Sequence, residues 1–88
     1  MPLNRGEYDD VVVPFVDVCK YKMSNSKRFH GQRKWETDPP QDLLLALEAE
    51  LAELKEAMAD GTPIEVILEC ADVSNLAMMI ADRFGLRH

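Results

Sequence analysis

The stretch Asp60-Gly61-Thr62-Pro63-Ile64-Glu65 reads as a helix stop followed at once by a helix start. Gly61 is a natural residue just past a helix end. Thr62 can cap a new helix, Pro63 suits its first position, and Glu65 stands three residues after the cap, which makes a capping box. So short a connection forces the two helices antiparallel. The expected fold is all-α: a small antiparallel helical hairpin plus an N-terminal helix, assembling into a helical-bundle oligomer.

Upstream of the turn, a helix is predicted from about Pro40 to Asp60. Leu44, Leu47, Leu51, Leu54 and Met58 step by three and four and form a packing seam. Downstream, a helix is predicted from Pro63 to about Phe84, closed by Gly85. From Val73 to Ala81 it is almost wholly apolar, so it must be covered on every side. Val73, Leu76, Met79 and Ile80, exposed in a lone hairpin, are expected to meet another subunit. Further upstream, Val11-Val12-Val13 favours a strand by propensity. The spacing of Val12, Val16, Cys19 and Met23 favours a helix, with Asp9 or Asp10 as cap and Pro14 in the first turn. Residues 10–28 are read as helix and 29–39 as a loop broken by Gly31 and two prolines.

Eighty-eight residues make one domain, 1–88, with its core at about 11–85. A chain this short buries a modest share of its surface, yet 47% of it is hydrophobic, which again points to an oligomer. The net charge of −6 argues against binding nucleic-acid polymers or anionic membranes. Charge is unevenly placed: Lys20, Lys22, Lys27, Arg28, Arg33 and Lys34 cluster, whereas acids dominate from Asp38 to Asp72. Cys19 and Cys70 read as buried free thiols rather than a disulfide framework. No apolar run approaches the roughly 20 residues that span a bilayer. The first residues show no apolar secretory core, so a cytoplasmic protein is expected.

Two acidic motifs carry the chemistry: Glu50-Leu51-Ala52-Glu53 and Glu69-Cys70-Ala71-Asp72. Each sets two carboxylates side by side on one helix face. The hairpin turns these faces together, and four converging carboxylates call for a cation. Hard cations such as Mg²⁺ take oxygen ligands and bridge carboxylates to phosphates. A Glu-x-x-Glu is commonly just a solvated face. Here Glu69 and Asp72 lie among Ile67, Leu68, Cys70, Ala71 and Val73, where an unpaired carboxylate is costly. Asn75, one turn on, has two readings, an interhelical hydrogen bond or a contact to substrate or metal-bound water. Trp35 either stacks on a base or anchors its loop. The basic cluster is either a solvated face or a phosphate grip.

Residues Leu43–Phe84 resemble the MazG-like branch of the all-α nucleoside triphosphate pyrophosphohydrolases. That family's signature is Glu-Glu-x-x-Glu on one helix and Glu-x-x-Asp on the next. Here it is matched by Ala49-Glu50-Leu51-Ala52-Glu53 and Glu69-Cys70-Ala71-Asp72, fifteen residues apart. The run Ala71–Asp82, the upstream basic helix and the Trp-bearing loop look like the short MazG-like proteins of phages and bacteria. One departure is Ala49, where the signature has its first Glu.

The resemblance implies Glu50, Glu53, Glu69 and Asp72 as catalytic metal ligands for Mg²⁺, with Mn²⁺ a possible substitute. It also implies cleavage of a (d)NTP to (d)NMP and pyrophosphate, in nucleotide-pool control or house-cleaning. Lys22, Lys27, Arg28, Lys34, Trp35 and Asn75 are the substrate-binding candidates. The expected partners are a nucleoside triphosphate and further copies of the chain, as homodimer or homotetramer. The competing readings are a catalytically inactive helical dimerisation module and a nucleotide-binding regulator.

Overall fold

The computed structural model describes residues 6–25 and 33–87. Among them are three α-helices, α1 (Asp9–Asn25), α2 (Pro40–Asp60) and α3 (Pro63–Arg83), and a single 3-10 turn at Lys34–Glu36. The helical hairpin and the additional N-terminal helix are as the sequence leads one to expect. None of these helices is long and apolar enough to cross a membrane.

The hairpin turn works as its residues dictate, with one difference. Thr62 Oγ1 accepts from the Glu65 backbone N–H at 3.2 Å, and Pro63 opens α3. Gly61 is extended (φ −89°, ψ 175°) rather than left-handed. Its glycine is required by space: a Cβ there would lie 2.6 Å from Glu65 Oε2 and 2.7 Å from the Ala57 carbonyl oxygen. The left-handed glycine is Gly85, φ +110°, just past the end of α3.

α3 is the central helix, packed by α2, by α1 and by the 3-10 turn. This accounts for its all-round apolar surface and corrects the expectation of an exposed Leu76 and Met79. Leu76 and Met79 (2% exposed) are buried within one chain, with Leu43 (1%) and Trp35 (7%), while Met23, Ala46, Leu47 and Ile80 pack against them. A lone hairpin would have exposed them; α1 and the Trp35 turn supply the missing cover.

The inner faces of α1 and α2 are also displaced from the expected ones. On α2, Leu43 is buried, and Ala46, Leu47, Glu50, Leu54 and Ala57 are half-buried, a helical stripe. The leucine seam is thus split: Leu47 and Leu54 face in, whereas Leu44, Leu51 and Met58 (70% exposed) face out. On α1, Phe15, Val18, Cys19, Lys22 and Met23 are half-buried, and Val12 and Val16 are exposed. α1 starts at Asp9, so Pro14 falls in the second turn rather than the first. It deprives the Asp10 carbonyl of its usual helical donor, on an exposed stretch where water can replace it.

Candidate metal centre

Glu50 occupies the inner stripe of α2, one turn beyond Ala46 and Leu47. It therefore points at α3 and is half-buried. Glu69 and Asp72 are half-buried on α3, flanking fully buried Ala71. One carboxylate oxygen from each of Glu50, Glu69 and Asp72 lies within 4.8 Å of the other two.

Three carboxylates so close repel one another, and burial removes the water that would screen them. Glu50 is pushed up to about 7, first by burial, then by its contact with Glu53 and the charges of Asp72 and Glu53. Glu69 is also raised, chiefly by burial. Glu50 Oε2 and Glu69 Oε2 are buried without a hydrogen-bond partner. Buried polar atoms are nearly always paired, so two unpaired oxygens side by side leave a place for a partner. A proton, an ammonium or a hard divalent cation would each relieve them, and an all-oxygen donor set favours the Mg²⁺, Mn²⁺ or Ca²⁺ class.

Glu53 stands beside Glu50 but is exposed and lies outside this three-oxygen set. It opens on a groove of about 520 Å³ at the turn end of the hairpin, which is also lined by Glu56, Asp60, Glu65 and Glu69. That groove is acidic throughout and repels anions. On the opposite side α1 brings in a cation: Lys22 Nζ lies 3.2 Å from Asp72 Oδ2. Ala49 is exposed, so the position where the resembling family carries a further Glu faces solvent.

Asn75 is buried and its Nδ2 donates to the Cys19 carbonyl at 3.0 Å, tying α3 to α1. Trp35 is held at the far end of α3. Its indole Nε1–H donates to Asp82 Oδ2 at 3.0 Å, and its carbonyl accepts from Arg83 Nη1 at 2.9 Å. Exposed Lys34 sits next to it in the 3-10 turn. Asp82 follows Asp72 by ten residues on the same helix, roughly 15 Å along its axis. Lys34 and Trp35 are thus not gathered with the carboxylates. Lys27 and Arg28 lie outside the described residues.

Comparison of the chain with family models, with curated proteins and with solved structures finds no match.

The Asp82 network was not foreseen from the sequence. Arg87 pairs with Asp82 and reaches Glu36 Oε2 at 3.4 Å, and Arg83 also donates to the Asp38 carbonyl. A signal was available: an Asp in the last turn of a helix opposes the helix dipole and needs cations nearby. Arg83 and Arg87 both follow it within five residues.

Proposed function

We propose that this chain is a Mg²⁺-dependent nucleoside triphosphate pyrophosphohydrolase, cleaving between the α- and β-phosphates to give a nucleoside monophosphate and pyrophosphate. The observation that carries the reading is the pair of orphan buried oxygens, Glu50 Oε2 and Glu69 Oε2, beside Asp72. They sit on the two motifs that resemble the MazG-like signature.

Glu50, Glu69 and Asp72 would hold the ion. When bound, Mg²⁺ neutralises polyphosphate charge and acidifies a water. Glu53 borders both Glu50 and the open groove, where a carboxylate can take the proton of the attacking water. The five carboxylates of the groove exclude phosphate from that side, so the triphosphate approaches from α1. Lys22 is the described cation on that side and would stabilise the leaving pyrophosphate. Lys34 and Trp35 would meet a nucleotide only at its distal end. Asn75 would act by holding α1, and with it Lys22, against α3.

A homodimer or homotetramer belongs to the same proposal. Leu44, Leu51 and Met58 recur every seven residues and are exposed on one chain, as are Val12 and Val16 of α1. A second copy would cover such a stripe.

The test is pyrophosphate release across a panel of ribo- and deoxyribonucleoside triphosphates, with Mg²⁺ and with excess EDTA. Release that vanishes with EDTA and returns with Mg²⁺ or Mn²⁺ is expected. Full hydrolysis in chelator would sink the metal reading. No hydrolysis of any nucleotide would leave the helical-module reading. Light scattering at two concentrations checks assembly, and a concentration-independent monomer of 10.0 kDa would refute the oligomer.

A further inference from the structure

Lys22 lies on the inner face of α1, and its ammonium is 3.2 Å from Asp72 Oδ2. The pair is not a loose surface contact: 29% of the Lys22 side chain and 22% of the Asp72 side chain are exposed. A second link fixes its place. Asn75 Nδ2 donates to the Cys19 carbonyl at 3.0 Å, one turn before Lys22 on α1 and one turn beyond Asp72 on α3. The lysine is therefore presented to the cluster by the packing of two helices, and not by a free side chain finding the nearest charge.

The ammonium reaches only one of the three carboxylates. Glu50 Oε2 and Glu69 Oε2 keep no hydrogen-bond partner while Lys22 is engaged with Asp72. A divalent cation drawing on all three residues needs an Asp72 oxygen too, and would then lie close to the ammonium. Two cations drawn to one carboxylate repel each other and compete for its charge.

We infer that Lys22 is the internal counter-ion of the cluster: it neutralises Asp72 in the metal-free protein and is displaced from it when a divalent cation is seated. The displacement frees an ammonium on the α1 side, where it can meet the anionic part of a ligand. Metal loading and anion binding are thereby coupled through one side chain. This inference rests on the cation reading of Glu50, Glu69 and Asp72 given above.

The coupling has a definite sign. A lysine that competes with the metal weakens metal binding, so removing its charge tightens it. A lysine that serves only as a phosphate grip leaves binding of the metal alone unchanged. A lysine that merely holds the site in shape weakens binding when it is lost.

The experiment is calorimetric titration of metal-stripped full-length protein with Mn²⁺ alone, without nucleotide. Lys22→Met should bind Mn²⁺ about five- to tenfold more tightly than wild type, the range expected for a half-buried ion pair. Lys22→Arg, which keeps the charge, should stay close to wild type. A second measurement needs no change of fold: lysines are ¹³C-methylated and Mg²⁺ is added. The Lys22 resonance, assigned by its loss in Lys22→Arg, should move as the site fills, and that of exposed Lys55 should not. If Lys22→Met does not fold, this spectrum decides alone. Equal or weaker Mn²⁺ binding by folded Lys22→Met, or a Lys22 resonance unmoved at saturation, overturns the inference and leaves the cation reading standing. A wild-type protein that binds neither Mn²⁺ nor Mg²⁺ overturns both.

Discussion

Asp72 and Asp82 lie on the same helix, ten residues apart, in contrasting surroundings. Asp82 is satisfied: it accepts from Trp35 Nε1 and is paired with Arg87. Those bonds, Arg87 first and Trp35 second, hold its carboxyl below the ordinary value. Asp72 is paired on one side with Lys22, but its other neighbours are carboxylates: two of their oxygens have no hydrogen-bond partner, and Glu50 and Glu69 are pushed up. One end of α3 spends its acid on structure. The other keeps acids that structure alone does not satisfy. Charge relieved by protein partners marks a fold contact, and charge left unrelieved marks a candidate site.

The largest expected effect breaks the two ends apart by mutation. Asp72→Asn or Glu69→Gln should lower metal-dependent pyrophosphate release by at least about 10²-fold, the scale of losing one preorganised electrostatic group. Glu69→Gln should melt at or above the wild-type temperature in EDTA, because like-charge repulsion is relieved, whereas Asp72→Asn also loses its pairing with Lys22. Asp82→Asn should do the reverse, melting lower while leaving Mn²⁺ affinity unchanged. Melting curves and calorimetry on the same three variants check this. A destabilised Glu69→Gln would show that the cluster is a structural network after all.

Trp35→Ala removes the cover from the Asp82 end. Large aromatic truncations in a core cost about 3–5 kcal/mol, a large share of the stability of a small domain. Urea denaturation should show this loss, and a loss below ~1 kcal/mol would mean that the turn does not close the core.

The hairpin was legible because its signals are local: Thr62 and Pro63 act on the next few backbone groups and need no tertiary context. The inner faces of α1 and α2 were less so. Leu44 and Leu43 are both apolar, and only the position of α3 decides that Leu43 is buried. The same holds for Val16 and Phe15. The carboxylate spacing offered Glu50, Glu53, Glu69 and Asp72 as one group, since i,i+3 geometry is fixed by the helix, and three of them come together. It could not say that Glu53 opens to the groove or that Lys22 reaches Asp72, because both depend on how the helices cross.

The two ends should also differ in sign with pH. Glu50 has its folded pKa raised from 4.5 to about 7. Between those values the folded state binds more protons than the unfolded one, so metal-free stability rises as pH falls from about 7 to 4.5. After allowance for solvent screening the gain is about 1–2 kcal/mol. Asp82 has its pKa lowered, so its contribution is present above the ordinary aspartate range and is lost as pH falls through its folded value. Metal-free protein should therefore be most stable in mild acid. Glu50→Gln should flatten the upper slope and leave the acid limb intact, as urea midpoints taken from pH 3 to 8 would reveal. A midpoint that rises steadily toward pH 8 would contradict the assignment of Glu50.

The smallest effect concerns Ala49, the position where the MazG-like signature has a Glu. Ala49 faces solvent, next to Glu50 in sequence but turned by about 100° around α2. A carboxylate there would be hydrated and screened, and would sit outside the buried set of Glu50, Glu69 and Asp72. Ala49→Glu should therefore change stability by less than about 0.5 kcal/mol and Mn²⁺ affinity by less than about threefold. Glu48→Gln, also exposed on α2, is the matching control for a change of surface charge. A tenfold tightening in Ala49→Glu without a matching response at Glu48 would mean that the site reaches round α2 onto the solvent face. The boundary between relieved and unrelieved charge would then lie farther from α3 than the buried cluster alone indicates.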